Sequence, residues 1–102
     1  MERIYTTNEI KELLFPVFEA HPLDKAILFG SYAKGSQTPS SDVDILIDSK
    51  GMIKGIDFFG VLEDITEILQ IPVDLVEASQ VIAGGEIERE IKKTGVVIYE
   101  RT

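Results

Sequence analysis

The sequence predicts an α/β domain with a mixed sheet of about four strands and helices packed mainly on one face. Short apolar runs bounded by glycine or proline alternate with longer stretches whose apolar residues recur at helical spacing. Of the 102 residues, 44% are hydrophobic and 27% are charged, as is usual for a globular protein. This length suits one domain, so we expect residues 1–102 to form a single unit.

The first element is predicted to be a helix that begins with a capping box, because Thr6 precedes Glu9 by three residues. Pro16 lacks an amide hydrogen and is expected to kink this helix or to end its regular part early. One face of the helix is apolar and is formed by Ile10, Leu13, Leu14, Val17 and Phe18.

Two apolar runs in the first half of the chain predict buried strands over Lys25–Phe29 and Val43–Ile47. Between them, Ser31–Gly35 is short enough for one helical turn closed by glycine, and the polar segment Ser36–Ser41 predicts a loop. Asp48 follows the second strand and is interpreted as a loop acid.

The second half of the chain predicts a long helix, a strand, a short helix and a last strand. Asp57 is expected to cap the long helix. The strands are expected over Val73–Glu77 and Val96–Tyr99, with a helix over Glu86–Lys93 between them. The order of the strands in the sheet does not follow from this pattern.

The composition argues against several classes of protein. Eighteen acidic and ten basic residues give a formal charge of −8, which disfavours direct binding to nucleic acid. The chain has no cysteine, which excludes disulfides, thiolate zinc sites and cysteine nucleophiles. Its start lacks the apolar core of a signal peptide, and no apolar run approaches the length of a membrane span, so we expect a cytoplasmic protein.

Paired carboxylates at the start of the second strand carry the strongest chemical signal. Asp42 and Asp44 point to the same face of the strand, because side chains alternate along it. Two such charges repel each other unless a cation lies between them, and hard oxygen ligands favour Mg²⁺ or Mn²⁺. If the strand over Val73–Glu77 is a neighbour, Asp74 can close the same site, and three carboxylates suffice for two metal ions. Glu77 points away from Asp74 and is not expected to be a ligand.

Gly30 and Ser31 predict a phosphate-binding turn on the other side of this site. A glycine at a strand end lets the backbone approach a ligand closely, and the following turn presents backbone amides. Ser31 adds a hydroxyl donor. Tyr32 is interpreted as a buried anchor of the short helix.

Gly30-Ser31, ten intervening residues, and then Asp42-x-Asp44 resemble the signature of the DNA polymerase beta-type nucleotidyltransferase superfamily. The surrounding residues are similar to its minimal nucleotidyltransferases, the MNT proteins, as is the closing segment from Ile91 to Glu100. The resemblance implies the nucleotidyltransferase fold, with Asp42 and Asp44 binding both metals, Asp74 binding the catalytic metal, and Gly30 and Ser31 holding the triphosphate.

The resemblance also implies a substrate and a partner. MNT proteins are often encoded with a helical HEPN ribonuclease in toxin–antitoxin modules, where the MNT antitoxin resembles an enzyme that adds AMP from ATP to a tyrosine of the toxin. Many relatives have arginine at the position of Lys34. A lysine can meet a phosphate only as a point charge, so Lys34 is either a phosphate contact or a solvated turn residue.

Two other functions stay open at this point. The domain could neutralise a helical partner by occlusion, without catalysis. It could also transfer a nucleotide to a small molecule, although a second domain or a dimer would then have to build the acceptor pocket. A homo-oligomer is compatible with the sequence.

Overall fold

The computed structural model describes residues 4–101, which form a mixed four-stranded sheet with helices. This architecture confirms the predicted α/β class. In chain order the elements are α1 (Thr7–Glu19), β1 (Lys25–Phe29), α2 (Ser31–Lys34), β2 (Val43–Asp48), α3 (Ile56–Leu69), β3 (Val73–Glu77), a 3-10 turn (Ala78–Gln80), α4 (Glu86–Thr94) and β4 (Val96–Glu100).

The sheet has the strand order β3-β2-β1-β4, which the sequence pattern left open. β1 runs antiparallel to both β2 and β4, whereas β2 and β3 are parallel. The crossover through α3 returns the chain so that β2 and β3 start at the same edge of the sheet. The residues at the starts of these two strands are therefore neighbours in space.

One face of the sheet forms the core with α1 and α3. Ile45 and Leu75 lie on this face of β2 and β3, and both are buried in the same cluster as residues of the two helices. Because side chains alternate along a strand, Asp44 of β2 and Asp74 of β3 lie on the opposite face. The buried residues that α1 and α3 contribute are Ile10, Leu14, Val17, Phe18, Val61, Ile65 and Leu69.

The start of α1 confirms the predicted capping box. The Glu9 amide donates to the Thr6 hydroxyl at 3.1 Å, and the Thr6 amide donates to the Glu9 carboxylate at 2.8 Å. Of the two effects expected of Pro16, a kink or an early end, the early end does not occur, because the helix continues to Glu19. Proline removes only its own donor, and its carbonyl still accepts from the Ala20 amide at 3.1 Å.

The structure corrects the predicted places of Asp57 and Asp48, and it extends the last helix and the last strand by one residue each, to Thr94 and Glu100. Asp57 does not cap α3, because Gly55, with φ of +61°, takes the N-cap position and the helix begins at Ile56. Asp57 lies instead in the first turn, where a carboxylate stabilises the positive end of the helix. Asp48 is not in a loop but ends β2, where it pairs with Lys25 of β1.

Candidate functional site

The register of β2 and β3 places the predicted carboxylates together at one edge of the sheet. Asp44 and Asp74 are paired neighbours in the parallel ladder, so both side chains lie on the same face. Asp42 comes immediately before β2 and is exposed. Asp44 is partly buried and Asp74 is exposed. An incoming ligand can therefore reach this cluster from solvent.

The surroundings of Asp44 raise its pKa. Burial raises its pKa most, and the neighbouring carboxylates of Asp74, Asp42 and Glu90 raise it further, from 3.8 to about 6. Each of these influences disfavours the ionised form. A cation bound beside Asp44 would relieve the repulsion, so the charge distribution suits a positively charged ligand.

Gly30 lies so close to Asp44 that any side chain at position 30 would force the Asp44 carboxylate to shift. A Cβ atom at position 30 would lie 2.1 Å from Oδ2 of Asp44, well inside van der Waals contact. Gly30 also has φ of +74°, which residues with a side chain rarely adopt. Both observations explain why the chain has glycine here. Glycine allows the backbone of the turn to lie next to the carboxylate.

The turn after Gly30 is the short helix α2. Gly30 occupies its N-cap position, and the Lys34 amide donates to the Gly30 carbonyl at 3.2 Å. Tyr32 is buried and fixes the helix to the core, as predicted. Because α2 has only four residues, its dipole is small. Any attraction for phosphate would rest on individual amides and on the partly buried Ser31.

Lys34 is held in an ion pair that the sequence did not predict. Its Nζ atom lies 3.5 Å from Oε1 of Glu90 in α4, and both side chains are partly exposed. Glu90 also lies close enough to Asp44 to raise its pKa. Glu90 could not be identified from the sequence, because only the packing of α4 against β1 brings it to the site.

The donor chemistry of the three aspartates fits a hard divalent cation. Carboxylate oxygens are the ligands that Mg²⁺ and Mn²⁺ prefer, and Asp44 and Asp74 project from adjacent strands about 4.8 Å apart. Among residues 4–101, however, no three acidic or histidine side chains are gathered tightly enough to hold a metal ion as they stand. Without a cation, the carboxylates repel each other and stay apart, so metal binding would require their side chains to rotate.

Glu77 shows how a buried acid outside this cluster is satisfied. It lies at the other end of β3 and is 3% exposed. Burial raises its pKa, but hydrogen bonds from Ser49 and Ser79 outweigh that effect and lower the pKa to about 2. The Ser49 amide and hydroxyl donate to Oε2 at 2.8 and 2.6 Å. This network connects the exit of β2 to the end of β3, and the absence of a ligand role for Glu77 stays a prediction.

A groove of about 360 Å³ also lies at that end of the sheet. Its walls include Lys54, Phe58, Phe59 and Glu77. None of its lining residues belongs to the predicted site, because Asp44 and Asp74 lie near the opposite ends of β2 and β3.

Residues 8–102 match the family model described as polymerase beta, nucleotidyltransferase. The chain belongs to this nucleotidyltransferase family. Two relatives from Methanocaldococcus jannaschii, both named as candidate protein adenylyltransferases, are similar to it. One is 32% identical over 83 residues, which cover 78% of this chain and 96% of the relative. The other is 34% identical over 80 residues, which cover 74% of this chain and 82% of the relative.

Solved structures share the fold of this nucleotidyltransferase at low sequence identity. A chain of a toxin–antitoxin crystal structure with AMP-PNP is 23% identical and has a TM-score of 0.73, with 96% of this chain and 76% of that chain covered. A chain of the complex between a tri-AMPylated HEPN toxin and its MNT antitoxin, from Shewanella oneidensis, is 16% identical. Its TM-score is 0.71, with 94% of this chain and 74% of that chain covered. These likenesses confirm the predicted nucleotidyltransferase fold.

Across residues 4–101, none of the helices combines the length and the apolar character that a membrane crossing requires.

Proposed function

We propose that this nucleotidyltransferase transfers AMP from ATP to a protein hydroxyl, with Asp42, Asp44 and Asp74 as its metal ligands. The observation that carries the proposal is the parallel register that pairs Asp44 with Asp74 directly beside Gly30. The carboxylate cluster then lies on one side of an exposed site, and the backbone of the turn at Gly30 lies on the other. Nucleotidyl transfer needs both features, because the triphosphate must be held while its negative charge is neutralised.

Each residue has a distinct role in the proposed reaction. Two Mg²⁺ ions, or Mn²⁺, would neutralise the phosphates and lower the pKa of the acceptor hydroxyl. Gly30 lets the backbone of the turn lie beside Asp44, where the turn and the Ser31 hydroxyl would hold the triphosphate. Asp42 and Asp44 would hold both metals, and Asp74 would hold the catalytic one.

The bond changes follow from the chemistry of phosphoryl transfer. The acceptor oxygen forms a bond to the α-phosphorus of ATP, while the bond from that phosphorus to the bridging oxygen breaks. Pyrophosphate leaves with the electron pair of the broken bond. The hydroxyl proton passes to a carboxylate of the site, for which the exposed Asp74 is the candidate.

The acceptor is proposed to be a tyrosine of a HEPN-type helical partner in the cytoplasm, with this chain acting as the antitoxin. The names of the Methanocaldococcus relatives support a protein acceptor. The Shewanella complex, in which the HEPN toxin carries AMP, supports this kind of partner. We further propose that the chain acts as a single minimal domain, so that the partner itself supplies the acceptor side of the site.

Labelled ATP tests this function. The protein and a co-encoded helical partner are incubated with Mg²⁺ and with ATP that carries the label on either the α- or the γ-phosphate. Transfer of AMP labels the partner from the α-phosphate alone, whereas a kinase would label it from the γ-phosphate. Loss of labelling in Asp42→Asn and Asp74→Asn, with the fold retained, would support the proposed ligands. A partner that is neutralised but never labelled would favour occlusion.

A further inference from the structure

The ion pair between Lys34 and Glu90 joins two elements that are far apart in sequence. Lys34 ends α2, one turn after Gly30, and Glu90 lies in the middle of α4. Nζ of the lysine and Oε1 of the glutamate are 3.5 Å apart, and the two side chains are 47% and 33% exposed. The pair is therefore within reach of a ligand from solvent.

The position of Glu90 is set by the packing of α4 on the sheet. Gly95 ends the helix, and its amide donates to the Ile91 carbonyl at 2.8 Å. A Cβ atom at position 95 would lie 3.1 Å from Cγ2 of Ile27 in β1 and only 2.5 Å from the Ile91 carbonyl oxygen. The absence of a side chain at Gly95 allows the end of α4 to pack against β1, and this packing leaves Glu90 beside Lys34.

Glu90 brings a fourth carboxylate to a site that already contains Asp42, Asp44 and Asp74, because its partner Lys34 lies one turn after Gly30, and Gly30 lies against Asp44. A triphosphate that contacts Lys34 in this site would compete with Glu90 for the ammonium group, because the attraction of each anion is strongest when the positive charge is closest to it.

We infer that Glu90 is a positioning residue that restrains Lys34 in the nucleotide-free site and competes with the incoming triphosphate for it. The inference rests on the proposed function, since it requires that a nucleoside triphosphate binds beside Gly30 and contacts Lys34. Its consequence is a lower affinity for nucleotide, because binding must break the ion pair and must overcome one more negative charge. Such a residue adjusts KM and does not take part in the bond changes.

Calorimetric titration with ATP in Mg²⁺ buffer, without the partner, tests the inference. We expect Glu90→Gln to bind ATP roughly two- to fivefold more tightly than the unmodified protein, which is the range of a partly exposed ion pair. The matched control is Glu88→Gln on the same helix, which breaks the 3.7 Å pair with Lys92. Both variants should unfold at nearly the same temperature, and the control should leave the ATP affinity unchanged.

A second set of variants, made in the Lys34→Met protein, distinguishes competition for Lys34 from simple charge repulsion between Glu90 and the triphosphate. In Lys34→Met the ion pair is absent, so adding Glu90→Gln should improve ATP affinity less than it does when the lysine is present. An equal gain in both backgrounds, or an affinity for Glu90→Gln no higher than that of Glu88→Gln, would overturn the inference while leaving the proposed function intact. If the unmodified protein bound no ATP, the proposed function and the inference would both fail.

Discussion

Replacing Asp44 with asparagine should stabilise the metal-free protein while removing its ability to respond to Mg²⁺. The pKa of Asp44 is raised from 3.8 to about 6, and each tenfold change in proton affinity corresponds to about 1.4 kcal/mol. The full effect would be about 3 kcal/mol, but solvent reaches the partly buried carboxylate. We therefore expect a gain of about 1–2 kcal/mol in the free energy of unfolding at pH 7.5.

The pH dependence of this gain in stability follows from proton linkage. Because the folded-state pKa of Asp44 is raised, its ionisation destabilises the folded protein as the pH rises from about 3.8 through about 6. The advantage of Asp44→Asn should therefore be full at pH 7.5 and should largely disappear near pH 4. Urea denaturation in the presence of a chelator at both pH values measures it, and the melting temperature at pH 7.5 should rise by roughly 5–15 °C.

Asp48→Asn is the matched control, since Asp48 lies on the same face of β2 and pairs with Lys50 at 3.5 Å. It should bring no gain at pH 7.5. Adding Mg²⁺ should stabilise the unmodified protein and the Asp48 variant but not the Asp44 variant. The electrostatic reasoning would be refuted if Asp44→Asn were less stable than the unmodified protein at pH 7.5, or if its gain persisted unchanged at pH 4.

Two further predictions concern the neighbouring backbone and the buried acid at the far end of β3. Gly30→Ala should destabilise the protein by about 1–3 kcal/mol in urea and abolish AMP transfer, because its methyl group meets Asp44 and its φ is +74°. Gly35→Ala has the same φ but open space around it, so it should keep the transfer activity. Glu77 has a lowered pKa, so its stabilising effect is present above about pH 4.5 and is lost as the pH falls toward 2. Glu77→Gln should lower stability by about 1–3 kcal/mol at pH 7 and flatten the acid limb of the stability curve.

Either prediction can fail in a recognisable way. If Gly30→Ala were as active as Gly35→Ala, the turn would not need to approach Asp44 closely. If the stability of Glu77→Gln fell between pH 4.5 and pH 2 as steeply as that of the unmodified protein, the acid sensitivity would come from other carboxylates.

The part of the site that lies along one strand could be predicted from the sequence. The alternation of side chains predicts that Asp42 and Asp44 share one face without knowledge of any other element, although β2 itself begins at Val43, one residue after Asp42. The prediction that Asp74 joins this site depended on the order of the strands, which hydrophobic patterns do not encode. The structure provides that order, because β2 and β3 are parallel neighbours. Glu90 could not be found, because its position depends on how α4 packs against β1, and a glutamate on a surface helix has no distinguishing pattern.

The errors in the elements have local physical causes. Pro16 is tolerated within α1 because it removes only one hydrogen-bond donor. The packing of the buried face stabilises the helix as far as Glu19. Asp57 was a reasonable cap by residue type, but the backbone turn at Gly55 determines where α3 begins. At Pro16 the packing of the helix outweighed a local preference, whereas at the start of α3 the local turn at Gly55 was decisive.

The most direct test of the central claim is the intact mass of a co-expressed helical partner after incubation with this protein, ATP and Mg²⁺. The account predicts that the partner gains one or more AMP units and that Asp42→Asn combined with Asp44→Asn eliminates the gain. A partner whose mass stays unchanged while it forms a stable complex with the unmodified protein would contradict a transferase role and would leave occlusion as its function.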